Sequence, residues 1–282
     1  EQRSNMAKVA ILSYLERNSL VHKLTGTTKL IFFLAWSVAA MVTYDTRVLI
    51  CMLIGSVVIF KISKVKFKDV SVVFGMALVF LLMNNLFVYL FSPEYGVGLY
   101  ESRTLLFAIA GRYTVTLQQL FYHLNMSMKV LCVVPVALLF IACTDPSEFA
   151  ASLASIGVSY RVGYSVSLAL RYIPDVQREY HNISQAQQAR GIDLSGKDKF
   201  FTRLKNSIAI LLPLVLSSLN RIETVSNAME LRGFGKNKKR TWYVQRKMKK
   251  EDWITLFLAV LILVLDFVIT FWDGSRYYNP FV

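Results

Sequence analysis

The chain has 282 residues, 55 % of them hydrophobic, with a mean hydropathy of +0.45, too apolar for an ordinary water-soluble domain of this size. Its formal charge of +14 is uneven: residues 145–250 hold 18 Lys/Arg against 8 Asp/Glu. The composition therefore excludes a soluble globular domain and predicts a membrane protein with one basic block. Positively charged segments stay cytoplasmic, where this block would meet anionic headgroups or an acidic protein surface.

Residues 1–13 carry no signal-peptide pattern, and Tyr14 to Lys29 read as a polar, turn-rich lead-in. Two apolar runs follow, Leu30–Tyr44 and Val48–Phe60, parted by Asp45-Thr46-Arg47. Each is shorter than the ~20 residues of a bilayer span, which predicts a tight hairpin of short or tilted helices. Lys61, Lys64, Lys66 and Lys68 then make a compact basic loop on the cytoplasmic side. Val70–Phe91 is the clearest span, ended by the turn around Pro93, Gly96 and Gly98. From Thr104 to Thr144 the chain is apolar but interrupted by Arg112, His123 and Lys129. Val130–Thr144 reads as the returning span, with Leu105–Leu124 beside it as a hairpin or tilted helix, or else as a second crossing.

Thr144-Asp145-Pro146 with Glu148 is a helix-start signal. The helix it opens carries Ala150, Ala151, Ala154 and Ser155, small residues that let another helix approach closely, and Gly157 should end it. Val162–Leu170 is apolar, and Arg171, Pro174, Arg178 and Glu179 lead the chain out of lipid. After the basic turn Lys197–Lys205 comes apolar Ile208–Leu219, then the polar stretch from Arg221 to Arg232. Lys236–Lys250 holds eight Lys/Arg and no acid. It precedes the last span, Trp253–Trp272, and reads as a topology and headgroup anchor. Asp266 lies inside that span, where an ionisable group normally faces protein or water.

One short signal occurs twice: Ala186-Gln-Gln-Ala-Arg190-Gly191 and Ala228-Met-Glu-Leu-Arg232-Gly233. In each the glycine follows the arginine where a helix should stop. An arginine at a helix end complements the helix dipole. It also makes a good anchor, because its planar fork donates several hydrogen bonds to carboxylates and carbonyls in a partner's groove. Two such anchors point to two similar pockets.

Other chemistry is poorly supported. Gly191 to Asp198 nearly matches a phosphate-binding loop, but Asp198 stands where a hydroxyl should meet Mg²⁺ and no strand precedes it. Cys51, Cys132 and Cys143 sit in apolar runs without CxxC spacing and read as packing residues. His22, His123 and His181 are far apart and have no partner at metal-ligand spacing. A membrane enzyme or a self-contained transporter remains open through Asp266 and Arg112.

The chain resembles the T component, the transmembrane coupling subunit, of energy-coupling factor transporters, the group that includes cobalt-permease and B-vitamin uptake systems. The resemblance rests on Ser19-Leu-Val-His22-Lys-Leu with Lys29-Leu30, Thr144-Asp-Pro, Leu170-Arg171-Tyr-Ile-Pro174, Ala186 to Asp193, and Ala228 to Phe234. It covers residue 19 to about 235. Thr25-Gly26-Thr27 departs from the family's Asp-Pro-Arg.

The resemblance implies an all-α, polytopic membrane protein of the plasma membrane with long cytoplasmic coupling helices. Its parts would be N-terminal spans in residues 1–143, a coupling region in 144–250, and a C-terminal span and tail in 251–282. Arg190 and Arg232, flanked by Ala189, Gly191, Leu231 and Gly233, would dock onto two ATP-binding-cassette ATPases. Arg171, Pro174, Asp193 and Glu230 would complete the motif. The chain itself would be non-catalytic and bind no cofactor and no nucleic acid, with ATP and Mg held by the partner ATPases. A separate substrate-binding S component would sit against its apolar surfaces, and a vitamin or transition-metal ion would be the cargo.

Overall fold

The structure, a computed structural model, describes residues 17, 19–110, 113–192, 200–237, 242, 246–272 and 276–281. In chain order the elements are α1 (Leu20–Lys23), α2 (Gly26–Val42), α3 (Thr46–Ser63), α4 (Phe67–Phe91), α5 (Tyr95–Tyr100), β1 (Leu105–Ala110), β2 (Tyr113–Thr116), α6 (Leu117–Cys143), α7 (Pro146–Ser155), α8 (Tyr160–Ala189), α9 (Phe200–Leu231) and α10 (Lys250–Phe271). Among the described residues it is an all-α architecture apart from one antiparallel hairpin, β1–β2. The chain forms two compact units, Pro146–Gln245 and the remainder.

The larger unit is built from α2, α3, α4, α6 and α10. Helix starts follow from short polar caps. Thr25 accepts from the Thr28 amide at the head of α2, Asp45 from Arg47 at the head of α3, and Thr116 from Gln119 at the head of α6. The helices α3, α4, α6 and α10 are long and apolar enough to cross a bilayer, whereas α2 is apolar but has only 17 residues.

For residues 105–124 the expectation is a hairpin, a tilted helix or a second crossing: the structure has a hairpin of two short strands over 105–116, while 117–124 is the first part of a single 27-residue helix that runs to Cys143.

Polar contacts show that these five helices alternate in direction. At one end Arg17 bonds the Lys64 carbonyl and Asp69 at 2.6 Å, Lys29 donates to the Cys143 carbonyl at 2.8 Å, and the Thr25 amide donates to Asp252 at 2.8 Å. The head of α2, the tail of α3, the head of α4, the tail of α6 and the head of α10 thus meet. At the other end Thr270 donates to Thr43 at 2.7 Å, Lys129 to the Met41 carbonyl at 2.8 Å, and Arg276 to the Val42 carbonyl.

Between the two ends the core is apolar: Trp36, Ala39, Ala40, Met52, Cys132 and Val136 form one cluster. A Cβ on Gly55 would sit 2.9 Å from the Trp36 ring, so only glycine admits that close approach. The outer surface is apolar too. On α4, Val72, Val79, Phe80, Leu82 and Leu86 are all exposed, a pattern suited to lipid rather than water. Asp266 is buried and within reach of Thr270, the protein-facing placement expected of a carboxyl at membrane depth.

In the smaller unit Pro146 opens α7 and Gly157, at φ +100°, follows its end. The small face of α7 packs on α8: Ala150 and Ala151 are buried, and a Cβ on Gly163 would lie 3.0 Å from the Ala150 carbonyl oxygen. The apolar stretch 162–170 and the polar stretch after it form one continuous 30-residue helix. The helices α8 and α9 each carry an interior proline, Pro174 and Pro213, which removes a backbone hydrogen bond from the ladder.

Candidate functional site

The two Arg-Gly signals fold into the same local structure. At the end of α8 the Gly191 amide bonds the Gln188 carbonyl at 2.9 Å and the Ile192 amide bonds the Gln187 carbonyl at 3.1 Å. At the end of α9 the Gly233 amide bonds the Glu230 carbonyl at 2.8 Å and the Phe234 amide bonds the Met229 carbonyl at 3.0 Å. These paired four- and six-residue closures need a left-handed residue, and Gly191 and Gly233 supply it at φ +87° and +67°. The arginine stands directly before each glycine, at the last half-helical position, and both arginines are exposed.

The same cap closes α7, where the Gly157 amide bonds the Ala154 carbonyl and the Val158 amide bonds the Leu153 carbonyl. The residue before that glycine is Ile156. The glycine cap is therefore general stopping chemistry, and the arginine is what sets the ends of α8 and α9 apart.

The two ends are not brought together. The Gln187 side chain donates to the Ala209 carbonyl at 3.0 Å, Arg221 bonds Glu179 at 2.7 Å, and Phe234 packs on Tyr164 with ring centroids 4.8 Å apart. Partners descend along α8 as they ascend along α9, so the two helices are antiparallel. Arg232 lies two residues before Phe234, level with about residue 166 of α8, and Arg190 is about 24 residues farther along, an axial separation of about 35 Å at 1.5 Å per residue.

The other predicted positions divide. Ala189, Leu231 and Glu230 are exposed beside the arginines, Leu231 at 90 %, while Gly191 is exposed and Gly233 half-buried. Arg171 and Pro174 are exposed about midway along α8. Asp193 and most of the phosphate-loop look-alike, 193–199, lie outside the described residues, as does Arg112.

The histidines have polar neighbours: His22 contacts Ser19, His123 contacts Gln119 on its own helix and Asn85 on α4, and His181 contacts Gln185. Among the described residues no group of three His, Cys, Asp or Glu side chains is placed to hold a metal ion.

Sequence reasoning missed the contact that joins the two helices. Glu179 accepts from Ser217 on one carboxylate oxygen and from Arg221 on the other, and the Arg221 guanidinium lies 5.8 Å from the Tyr172 ring centroid. A signal for it was present: Glu179 and Arg221 each precede the arginine ending their own helix by eleven residues. A long exposed apolar stripe on α9, including Ile208, Leu211, Val215, Leu219 and Ile222, completes the surface.

A multi-pass helical membrane protein with two exposed arginine ends on one antiparallel helix pair is the class that these features define. Residues 17–243 match the family described as CbiQ, cobalt transport protein. The chain is 27 % identical to the energy-coupling factor transporter transmembrane protein EcfT of Staphylococcus aureus, over 94 % of this chain and 98 % of that one. It is 26 % identical to EcfT of Clostridium kluyveri, over 95 % and 98 % of the two chains, and 37 % identical to EcfT of Limosilactobacillus fermentum, over 38 % and 40 %. The chain belongs to the CbiQ family and is a transmembrane, EcfT-like component of an energy-coupling factor transporter.

Proposed function

We propose that this chain couples two cytoplasmic ATP-binding-cassette ATPases to a substrate-binding S component, and that Arg190 and Arg232 are its docking residues. The observation that carries this reading is the repeated cap. One exposed arginine, held in the same backbone geometry, ends each helix of an antiparallel pair, offering two equivalent anchors about 35 Å apart. Ala189, Gly191, Leu231 and Gly233 shape the two ends; Arg171, Pro174 and Glu230 lie on the same helices, and Asp193 follows the first end in sequence. ATP and Mg²⁺ belong to the ATPases, and this chain supplies no nucleotide site and no catalysis.

Charge and connectivity support a cytoplasmic position for residues 146–245. This segment leaves α6 at Cys143 and rejoins α10 at Asp252, and both junctions lie at the end of the larger unit that carries Lys61, Lys64, Lys66 and Lys68. By the positive-inside rule that end faces the cytoplasm. Residues 204–231 of α9 are apolar enough to cross a bilayer by composition. A crossing there would require a second one to return, and α8 carries Arg161, Arg171, Asp175, Arg178 and Glu179, charges that are costly in hydrocarbon. The reading is therefore that α9 lies along the membrane surface or against the S component, with its exposed stripe on the apolar side.

In this mechanism, closure of the ATPase dimer on ATP moves the two anchored ends. The shift changes the surface offered to the S component, which reorients and releases its cargo inside. The test is uptake by proteoliposomes holding this chain, its two ATPases and its S component: Arg190→Ala or Arg232→Ala should lower transport, and the double variant should nearly abolish it. Wild-type transport by the double variant contradicts the proposal.

A further inference from the structure

We infer that Glu179, Ser217 and Arg221 form a clasp that fixes where α8 and α9 cross and so sets the spacing of the two arginine ends. Glu179 uses both carboxylate oxygens, one for the Ser217 hydroxyl and one for the Arg221 guanidinium at 2.7 Å. The pair is partly shielded, with side-chain exposures of 19 % for Glu179 and 35 % for Arg221, and Tyr172 flanks the guanidinium. A partly buried carboxylate with two donors holds its geometry far better than an exposed ion pair does. Farther along, Gln187 adds only a neutral bond to the Ala209 carbonyl.

The position of the clasp is what gives it a mechanical role. Eleven residues separate Glu179 from Arg190, and eleven separate Arg221 from Arg232. That spacing is about three helical turns, or about 16 Å. Each arginine therefore ends an arm of equal length, on the same helix face as its own half of the clasp. The helices are antiparallel, so the arms extend in opposite directions from the shared point, and the clasp is their fulcrum. Glu179 and Arg221 are positioning residues that act through the arginine ends. The transport consequence rests on the docking reading above; the geometric claim does not.

The test uses the purified full chain with Cys51→Ser and spin labels at Gln185→Cys and Asn227→Cys, exposed sites on opposite arms. Their expected separation along the pair is about 20 Å. With the clasp intact the distance distribution should be single and narrow. Glu179→Gln should broaden it, and the charge swap Glu179→Arg with Arg221→Glu should narrow it again. A Glu179→Gln distribution that coincides with the parent, or a swap that leaves it broad, overturns the inference.

In the assembled transporter Glu179→Gln should keep both ATPases yet move less substrate per ATP hydrolysed, and the swap should recover the ratio. Loss of the ATPases from this variant would make the contact merely structural and overturn the fulcrum. A wild-type chain that retains no ATPase would instead refute the docking reading, while the distance result would stand by itself.

Discussion

In the larger unit the polar side chains are used inward. Lys29, Asp252, Thr43, Lys129 and Asp266 are buried, where they tie one helix to the next, and the outer surface of the spanning helices is apolar. The smaller unit reverses this arrangement. Its best-placed cations, Arg190 and Arg232, stand exposed at the helix tips, and its two long helices are held to each other by a few side chains around Glu179. A structure that must persist in lipid hides its charges, because unpaired polar groups are costly there. Charges displayed at helix tips are instead suited to water and to the docking proposed above.

The sharpest break of this contrast comes from the larger unit. Asp252 is buried and accepts from the Thr25 amide, the Thr25 hydroxyl and the Lys249 amide. Asp252→Ala strands the two buried Thr25 donors, at about 1–3 kcal/mol each when unsatisfied. It should lower the thermal unfolding midpoint in detergent more than any single change at the arginine ends. An equal midpoint would mean that the larger unit does not depend on its buried ties.

The glycine caps sharpen the contrast next. Gly191→Val or Gly233→Val forces a β-branched residue into the left-handed region, at about 1–2 kcal/mol, and tilts an arginine. Gly157→Val imposes the same strain where Ile156 precedes the glycine. All three should cost similar stability, but only the first two should weaken ATPase retention; equal weakening by Gly157→Val would remove the arginines from the argument.

Gly163→Leu should be milder. It overpacks the α7–α8 contact near the Ala150 carbonyl and Trp242, at about 1–3 kcal/mol, and should show as a lowered unfolding midpoint with ATPase retention kept. Cysteines placed at Thr202 and Asn227 give a test without energetic cost. Both ends of α9 should react with a membrane-impermeant thiol reagent only after the cell is opened, and labelling of one end from outside would make α9 a crossing.

Much of this contrast was legible before any coordinates. Asp45 between two apolar runs marked the turn from α2 to α3, Pro146 and Gly157 bracketed α7, and the two Arg-Gly signals marked helix ends that proved to share one cap. These are local signals, carried by residues whose backbone preferences act within one turn. For 105–124 the sequence left a hairpin, a tilted helix and a crossing open, because its apolar content matched that of its helical neighbours, although β-branched Thr114, Val115 and Thr116 favour a strand. The unbroken run of α8 through Pro174 was also hidden, since the change from apolar to polar there reflects a change of surroundings rather than of backbone. The Glu179–Arg221 contact depends on the register between two helices 42 residues apart in sequence. No pattern within either helix specifies that register; only the equal spacing to the arginines hinted at it.

The central claim is that two arginine ends hold two ATPases. The most direct measurement is co-purification of this chain with its ATPase pair in detergent, as wild type and as the Arg190→Ala/Arg232→Ala double variant. Each truncation should cost about 2–5 kcal/mol by leaving groups in the partner's pocket unpaired. The account predicts that the wild type retains both ATPases and the double variant loses both while remaining folded. Retention of the ATPases by the double variant, or their absence from the wild type, would contradict it.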